Sequence, residues 1–255
     1  MFWGFGIKFN LARVKIFIVV NIMINKHNSI LLFSGGMDSF IAWHYLNYPP
    51  VLFLDAGQSY LKKELKTVKY FSKKYKKMKL YVDKSLDLSK WERGNFYIPY
   101  RNVFFVMIAS LYAPNIHLVG IKGDNVDDNN PNASKLMAKF LMNFNNNKGI
   151  KVASPFYEMT KSEMVRWFID NNLPIEDLLK TRSCYSNNTM NQCGKCNSCF
   201  RRWVALENNG IKETYDSPPW LWDGARDYIK KMKAGLYDQK RTDETFRALE
   251  KYIAL

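Results

Sequence analysis

The stretch Leu31-Leu32-Phe33-Ser34-Gly35-Gly36-Met37-Asp38-Ser39 restricts the fold more than any other part of the chain. An apolar run from Ser29 to Phe33 stops at a Gly-Gly pair, and Asp38 to Leu46 then reads as a helix closed by Pro49-Pro50. Paired glycines let the backbone turn sharply and bring its amides up to an anion with no side chain between. The first turn of the following helix adds free amides and the positive end of its dipole. The same rhythm continues downstream. Val51–Leu54, Leu80–Val82, Ile116–Val119 and Lys151–Ala153 read as strands, and helical patterns lie near 61–75, 103–113 and 161–171. Apolar strands alternating with helices predict an α/β fold, a parallel sheet with helices on both faces. Ligands of such sheets bind beyond the carboxyl ends of the strands. The loops beginning at Ser34, Asp55 and Gly120 are therefore expected to meet at one crevice.

Within the loop, Phe33, Ser34, Gly35, Gly36, Met37, Asp38 and Ser39 are candidates for gripping a nucleotide. Ser34 and Ser39 offer hydroxyl donors to phosphate oxygens. Asp38 is out of place beside a polyanion unless it acts through Mg²⁺ or caps loop amides. The Gly-Lys-Ser/Thr ending of a Walker loop is absent, which turns the expectation away from phosphoryl transfer by that motif.

All four cysteines fall between positions 184 and 199. Two residues separate Cys193, Cys196 and Cys199 from one another, and eight separate Cys184 from Cys193. A disulfide scaffold would spread its cysteines, so the crowding indicates a reducing, cytoplasmic compartment and a metal site. Four thiolates at this spacing suit a closed, structural Zn²⁺ site, with an iron–sulfur cluster as the rival. The three histidines, His27, His44 and His117, are scattered and read as structural residues.

The chain of 255 residues has 47% hydrophobic residues, enough for a packed core, and a formal net charge of +15, which favours anionic partners. Near the N-terminus the apolar run Ile16–Val20 is too short to span a bilayer, and no small-residue cleavage site follows it. Three divisions are expected: an N-terminal extension over 1–25, read either as an added strand or as the product of a misassigned start, in which case Met23 is the natural one; a catalytic domain over 26–214 containing the zinc segment 184–201; and a helical tail over 215–255.

The loop resembles the pyrophosphate loop of the ATP pyrophosphatases, which cleave ATP to AMP and pyrophosphate. With the cysteines and further pieces in order, the chain resembles the 7-cyano-7-deazaguanine synthases, the QueC family of that group. Those pieces are Asp55-Ala56-Gly57-Gln58 with Glu64, Ile98-Pro99-Tyr100-Arg101-Asn102, Ser154-Pro155 with Thr160-Lys161-Ser162-Glu163, and Ser183-Cys184-Tyr185 leading to Arg201. The resemblance implies an ATP-dependent ligase in which a purine-like acid is adenylated, takes up ammonia and ends as a nitrile. The cofactors it implies are ATP, Mg²⁺ and Zn²⁺. It also implies catalytic roles for Ser34, Asp38, Ser39 and Lys161, nucleotide contacts from the loop together with Asp55, Arg101 and Asn102, and metal ligation by Cys184, Cys193, Cys196 and Cys199. Arg201 is a further candidate for an anionic substrate or phosphate. No membrane or nucleic-acid partner is expected, and a homo-oligomer is left open.

The segment from Gly120 to Lys135 departs from the family pattern. Asp124 and Pro131 can be matched, but a Tyr-Pro-Asp-Cys-Arg-like segment cannot, and only Lys135 offers a replacement charge. Ala56 stands where the family commonly carries an aromatic residue. A different purine-like acid, a protein or tRNA acceptor, or a nucleotide sensor without turnover are the alternatives.

Overall fold

A computed structural model describes residues 27–124, 126–145, 149–186 and 191–253, so the expected N-terminal extension lies outside the described residues. Five strands, β1 (Ser29–Leu32), β2 (Val51–Leu54), β3 (Leu80–Asp83), β4 (Asn115–His117) and β5 (Lys151–Ala153), form one sheet in the order β3-β2-β1-β4-β5. Every pairing is parallel, with Leu31 opposite Val51, Leu52 opposite Tyr81, Ile30 opposite Ile116, and Ile116 opposite Val152. The strand order reverses at β1, and its carboxyl end therefore opens where a crevice is expected.

Alternation along the strands divides the core in two. Leu31, Phe33, Val51 and Phe53 face one layer, while Ile30, Leu52, Leu54, Ile116 and Val152 face the other. The first layer is covered by α1 (Met37–Tyr45), α2 (Leu61–Lys74), α5 (Lys161–Asp170), α6 (Ile175–Lys180) and α7 (Asn197–Glu207). The second is covered by α3 (Arg101–Ala109) and α4 (Pro131–Asn145). Each fully buried large apolar side chain here, such as Phe40, Phe71 or Phe168, contributes about 1.5–3 kcal/mol.

Helices α4, α6 and α7 carry no counterpart among the sequence expectations. Helix α4 starts with Pro131 at its first position, where the missing amide hydrogen costs nothing, and the Asn130 side chain accepts from the Ala133 amide (2.9 Å). Helix α7 begins inside the cysteine run, with Cys196 at its N-cap and Cys199 in its first turn. Its buried Phe200, Trp203 and Val204 recur at helical spacing, a signal the metal pattern overshadows.

Helices α8 (Asp223–Lys233) and α9 (Gln239–Leu249) follow a 3₁₀ turn at Pro219–Leu221. They pack on α7 through Ala225, Ala248 and Leu249, with Trp220, Trp222 and Tyr252 closing around Trp203 and Phe200. Arg202 is fully buried, holds Glu213 through two 2.7 Å hydrogen bonds, and donates to Thr181 Oγ1 and the Leu178 carbonyl. One guanidinium thereby ties α7, the chain after α6 and the approach to the C-terminal helices together. Among the described residues no helix is long and apolar enough to cross a membrane.

Candidate active site

The crossing of strand, loop and helix at Ser34–Ser39 sets the site. Gly35 takes φ +74°, a left-handed conformation, and a Cβ there would come within 3.1 Å of Thr67 on α2. Gly36 donates to Ser34 Oγ (3.3 Å), Ser39 Oγ donates to the Gly36 carbonyl (3.1 Å), and the two serine hydroxyls lie 3.5 Å apart. The Arg182 amide donates to the Gly35 carbonyl (3.0 Å), which seats the chain after α6 against the loop.

A cleft of about 230 Å³ opens here, at the carboxyl ends of β1, β2 and β4. Of the residues expected to bind nucleotide, Phe33, Ser34, Gly36, Met37, Asp38, Ser39, Arg101 and Asn102 line it, as does Lys161. Gly35 and Asp55 do not. Asp55 turns back on its own loop, accepting from the Gly57 amide (3.4 Å) and facing Lys84 at 3.9 Å.

Asp38 is held by an ion pair rather than folded onto loop amides. Both of its oxygens accept from Lys161 Nζ, at 2.6 and 2.5 Å. Lys161 is the first residue of α5, whose start is built by a capping box: Thr160 accepts from the Glu163 amide, and Glu163 accepts from the Thr160 amide. The Thr160 hydroxyl also donates to Glu244 of α9 (2.6 Å). Burial lowers the Lys161 pKa, and the neighbouring Arg201 charge pushes the same way against Asp38. A desolvated ammonium beside a glycine loop is well placed to meet a developing phosphate charge.

The cleft floor joins motif pieces that lie apart in the sequence, and Tyr60, which no motif singled out, sits between them. Glu64 accepts from Gln58 (3.0 Å), and burial raises its pKa to about 7. Arg101 donates to the Tyr60 hydroxyl (2.9 Å), and Tyr60 packs on Tyr185 with ring centres 4.9 Å apart. Asn102 is committed to Asp128, which accepts from both its backbone and side-chain nitrogens at 3.1 and 2.9 Å.

A second cavity of about 310 Å³ adjoins the cleft and shares Arg101, Asn102, Tyr185 and Ser198 with it. Arg201 lines it and pairs with Asp124, so the matched acid of the divergent segment does have a charged partner. Lys135 is exposed on α4 and lines neither cavity. Arg241 of α9 lines the second cavity; burial, and then the charge of Arg201, lower its pKa.

The sulfur atoms of Cys184, Cys193, Cys196 and Cys199 all lie within 4.8 Å of one another. Backbone amides point at them: Ser186 and Cys193 donate to Cys184 Sγ at 3.3 and 3.4 Å, and Lys195 donates to Cys193 Sγ at 3.3 Å. Four converging sulfurs with amide donors suit thiolates around a metal such as zinc, and no histidine joins the group.

The family model described as "Queuosine biosynthesis protein QueC" matches residues 74–210, more than half of the chain. A 7-cyano-7-deazaguanine synthase of Prochlorococcus marinus subsp. pastoris is 29% identical over 226 residues, covering 74% of this chain and 98% of the relative. One from Prochlorococcus marinus (strain AS9601) is 30% identical over 228 residues, with 74% and 99% covered. One from Acetivibrio thermocellus is 26% identical over 221 residues, with 74% and 96% covered.

Proposed function

The chain belongs to the QueC family, and from that premise we propose that it converts 7-carboxy-7-deazaguanine and ammonia into 7-cyano-7-deazaguanine at the expense of ATP, as a cytoplasmic ligase of queuosine-type biosynthesis. The observation that carries this reading is the glycine loop at the end of β1, with Lys161 paired to Asp38 on the cleft wall. A carboxylate oxygen leaves poorly at neutral pH, whereas AMP leaves readily. Attack of the acid on the α-phosphorus of ATP would release pyrophosphate and form an acyl-adenylate. Ammonia would then displace AMP to give the amide. A second ATP would activate the amide oxygen, and loss of AMP with two protons would leave the nitrile.

In this reading the Gly36 region, Ser34 and Ser39 hold the departing pyrophosphate, whose charge Lys161 stabilises. Asp38 orients Lys161 and is the loop's carboxylate for the Mg²⁺ that accompanies ATP. Arg101 supplies positive charge at the junction of the two cavities. The four cysteines would hold a structural zinc whose part is to keep α7 against the site, outside the reaction itself. The test is mass spectrometry of purified protein incubated with 7-carboxy-7-deazaguanine, Mg²⁺-ATP and an ammonium salt. Nitrile with AMP is the expected result, amide alone would limit the reaction to its first half, and absence of acid-dependent AMP would overturn the proposal.

A further inference from the structure

The second cavity has a composition unlike the cleft beside it. Arg101, Arg201 and Arg241 line it, and Asp128 is the carboxylate facing them. Asp128 is already bound to Asn102, and Asp124 behind the wall is bound to Arg201. Positive charge therefore outweighs what the local acids neutralise, with three guanidinium groups converging on one recess. An anion entering it would relieve that imbalance.

The walls are flat. Tyr185 stacks on Phe96 with ring centres 5.6 Å apart and planes at 29°. The Arg241 guanidinium, also in the lining, lies 4.5 Å from the centre of Tyr237 and 5.4 Å from that of Tyr228. A lining this rich in planar groups fits a planar ligand better than a branched one.

Arg241 is also held in place before any ligand arrives. Its Nη1 donates to the Gly123 carbonyl at 2.6 Å. Gly123 has φ +78°, and a Cβ on it would lie 3.1 Å from the Arg241 stem, so this close approach of loop and helix requires glycine. A guanidinium has five N–H donors, and this bond uses one of them. Much of the side-chain entropy is thus lost on folding rather than on binding.

We infer that the second cavity seats a planar, carboxylate-bearing acceptor, and that Arg241 on the C-terminal helix α9 is a binding residue for it. Arg241 lies beyond residues 74–210 matched by the family model, so this chain draws part of its acceptor site from its C-terminal helices. The identity of the acid rests on the function proposed above; its planar, anionic character rests on the cavity. Continuity with the cleft through Arg101 and Ser198 lets a carboxylate in one cavity face a nucleotide in the other.

The test is calorimetric titration of the metal-loaded full chain, without ATP, by 7-carboxy-7-deazaguanine and by uncharged 7-deazaguanine. The acid is expected to bind at least about tenfold more tightly, and Arg241→Gln to weaken the acid by about 10- to 100-fold while moving the uncharged compound little. Arg241→Lys, which keeps the charge, should restore part of the difference, and ATP affinity should stay within about twofold in both variants. Should Arg241→Gln not fold, Tyr237→Leu takes its place, with both ring compounds weakened alike. Equal binding of acid and uncharged compound, an unchanged Arg241→Gln, or a parallel loss of ATP affinity would each overturn the inference. AMP formation with some other acid, alongside no binding of either ring compound, would overturn the cavity assignment and leave the ATP chemistry standing. Acid-selective binding without AMP formation would do the reverse.

Discussion

The cleft beneath the glycine loop and the cavity beside it meet at Arg101, Asn102, Tyr185 and Ser198, yet they are assembled from different reaches of the chain. Most of the cleft comes from residues 32–64, two successive strand–loop–helix passages whose backbone turns are set locally. The second cavity takes its walls from residues 95–98 and the start of α3, the start of α7, Tyr228 and Arg241 of the C-terminal helices, and Tyr237 in the loop between them. Local geometry builds the glycine turn; docking of distant elements builds the cavity to which the acceptor is assigned in the proposal above. The bridge between them is the start of α5, where Lys161 reaches Asp38 on one side while Thr160 holds Glu244 of α9 on the other.

Arg202→Ala should have the largest effect, because it attacks what the two regions share. It leaves Glu213 without its buried partner and frees the chain that carries Arg182 and Ser183 into the cleft, at a loss of about 3–5 kcal/mol. The denaturant midpoint measures this, and a loss below about 1 kcal/mol would mean that α7 is held chiefly by its apolar face.

Lys161→Ala should divide the two regions. Turnover should fall by about 10²- to 10³-fold, the usual effect of removing one donor to a developing anion, while acceptor affinity in the second cavity stays nearly constant. Steady-state kinetics beside equilibrium titration of the acid separates the two. A parallel fall in both would show that the regions do not act independently.

The smallest effect is expected at the cleft floor. Burial raises Glu64 to about 7, above its ordinary value of 4.5, so between those values the folded chain holds a proton that the unfolded chain has released. Stability contributed by this group is full below about pH 4.5, falls as pH rises towards 7, and changes no further above that. Glu64→Gln removes the titration, so its melting temperature should gain a few degrees on the parent protein between pH 5 and 7.5. A constant difference across that range would show that the carboxyl is solvated.

How far the sequence could be read follows the same division. The turn at Ser34–Ser39 and the cysteine group were legible because glycine freedom, helix amides and thiolate spacing act over a few residues, which neighbouring sequence displays. Asp55 shows the limit of such local reading. It stands at a strand end, as expected, but its side chain folds back to the Gly57 amide and contributes to neither cavity. Helix α4 lay behind a run of asparagines and aspartates that reads as a loop, although Asn130-Pro131 is a helix-starting pair.

By itself, then, the sequence determined the parallel α/β architecture, the glycine turn between β1 and α1 and the four-sulfur cluster, since each follows from periodicity or short spacing. Only the tertiary structure decided that Asp38 is bound by Lys161, 123 residues away, and that Arg201 answers Asp124 across 77. Only the tertiary structure, too, brought Arg241 over Gly123, 118 residues earlier, to wall a second cavity. Such pairings depend on which faces the helices bury against the sheet and on each other. That choice is made by the packing of the whole core, and no window of sequence contains it.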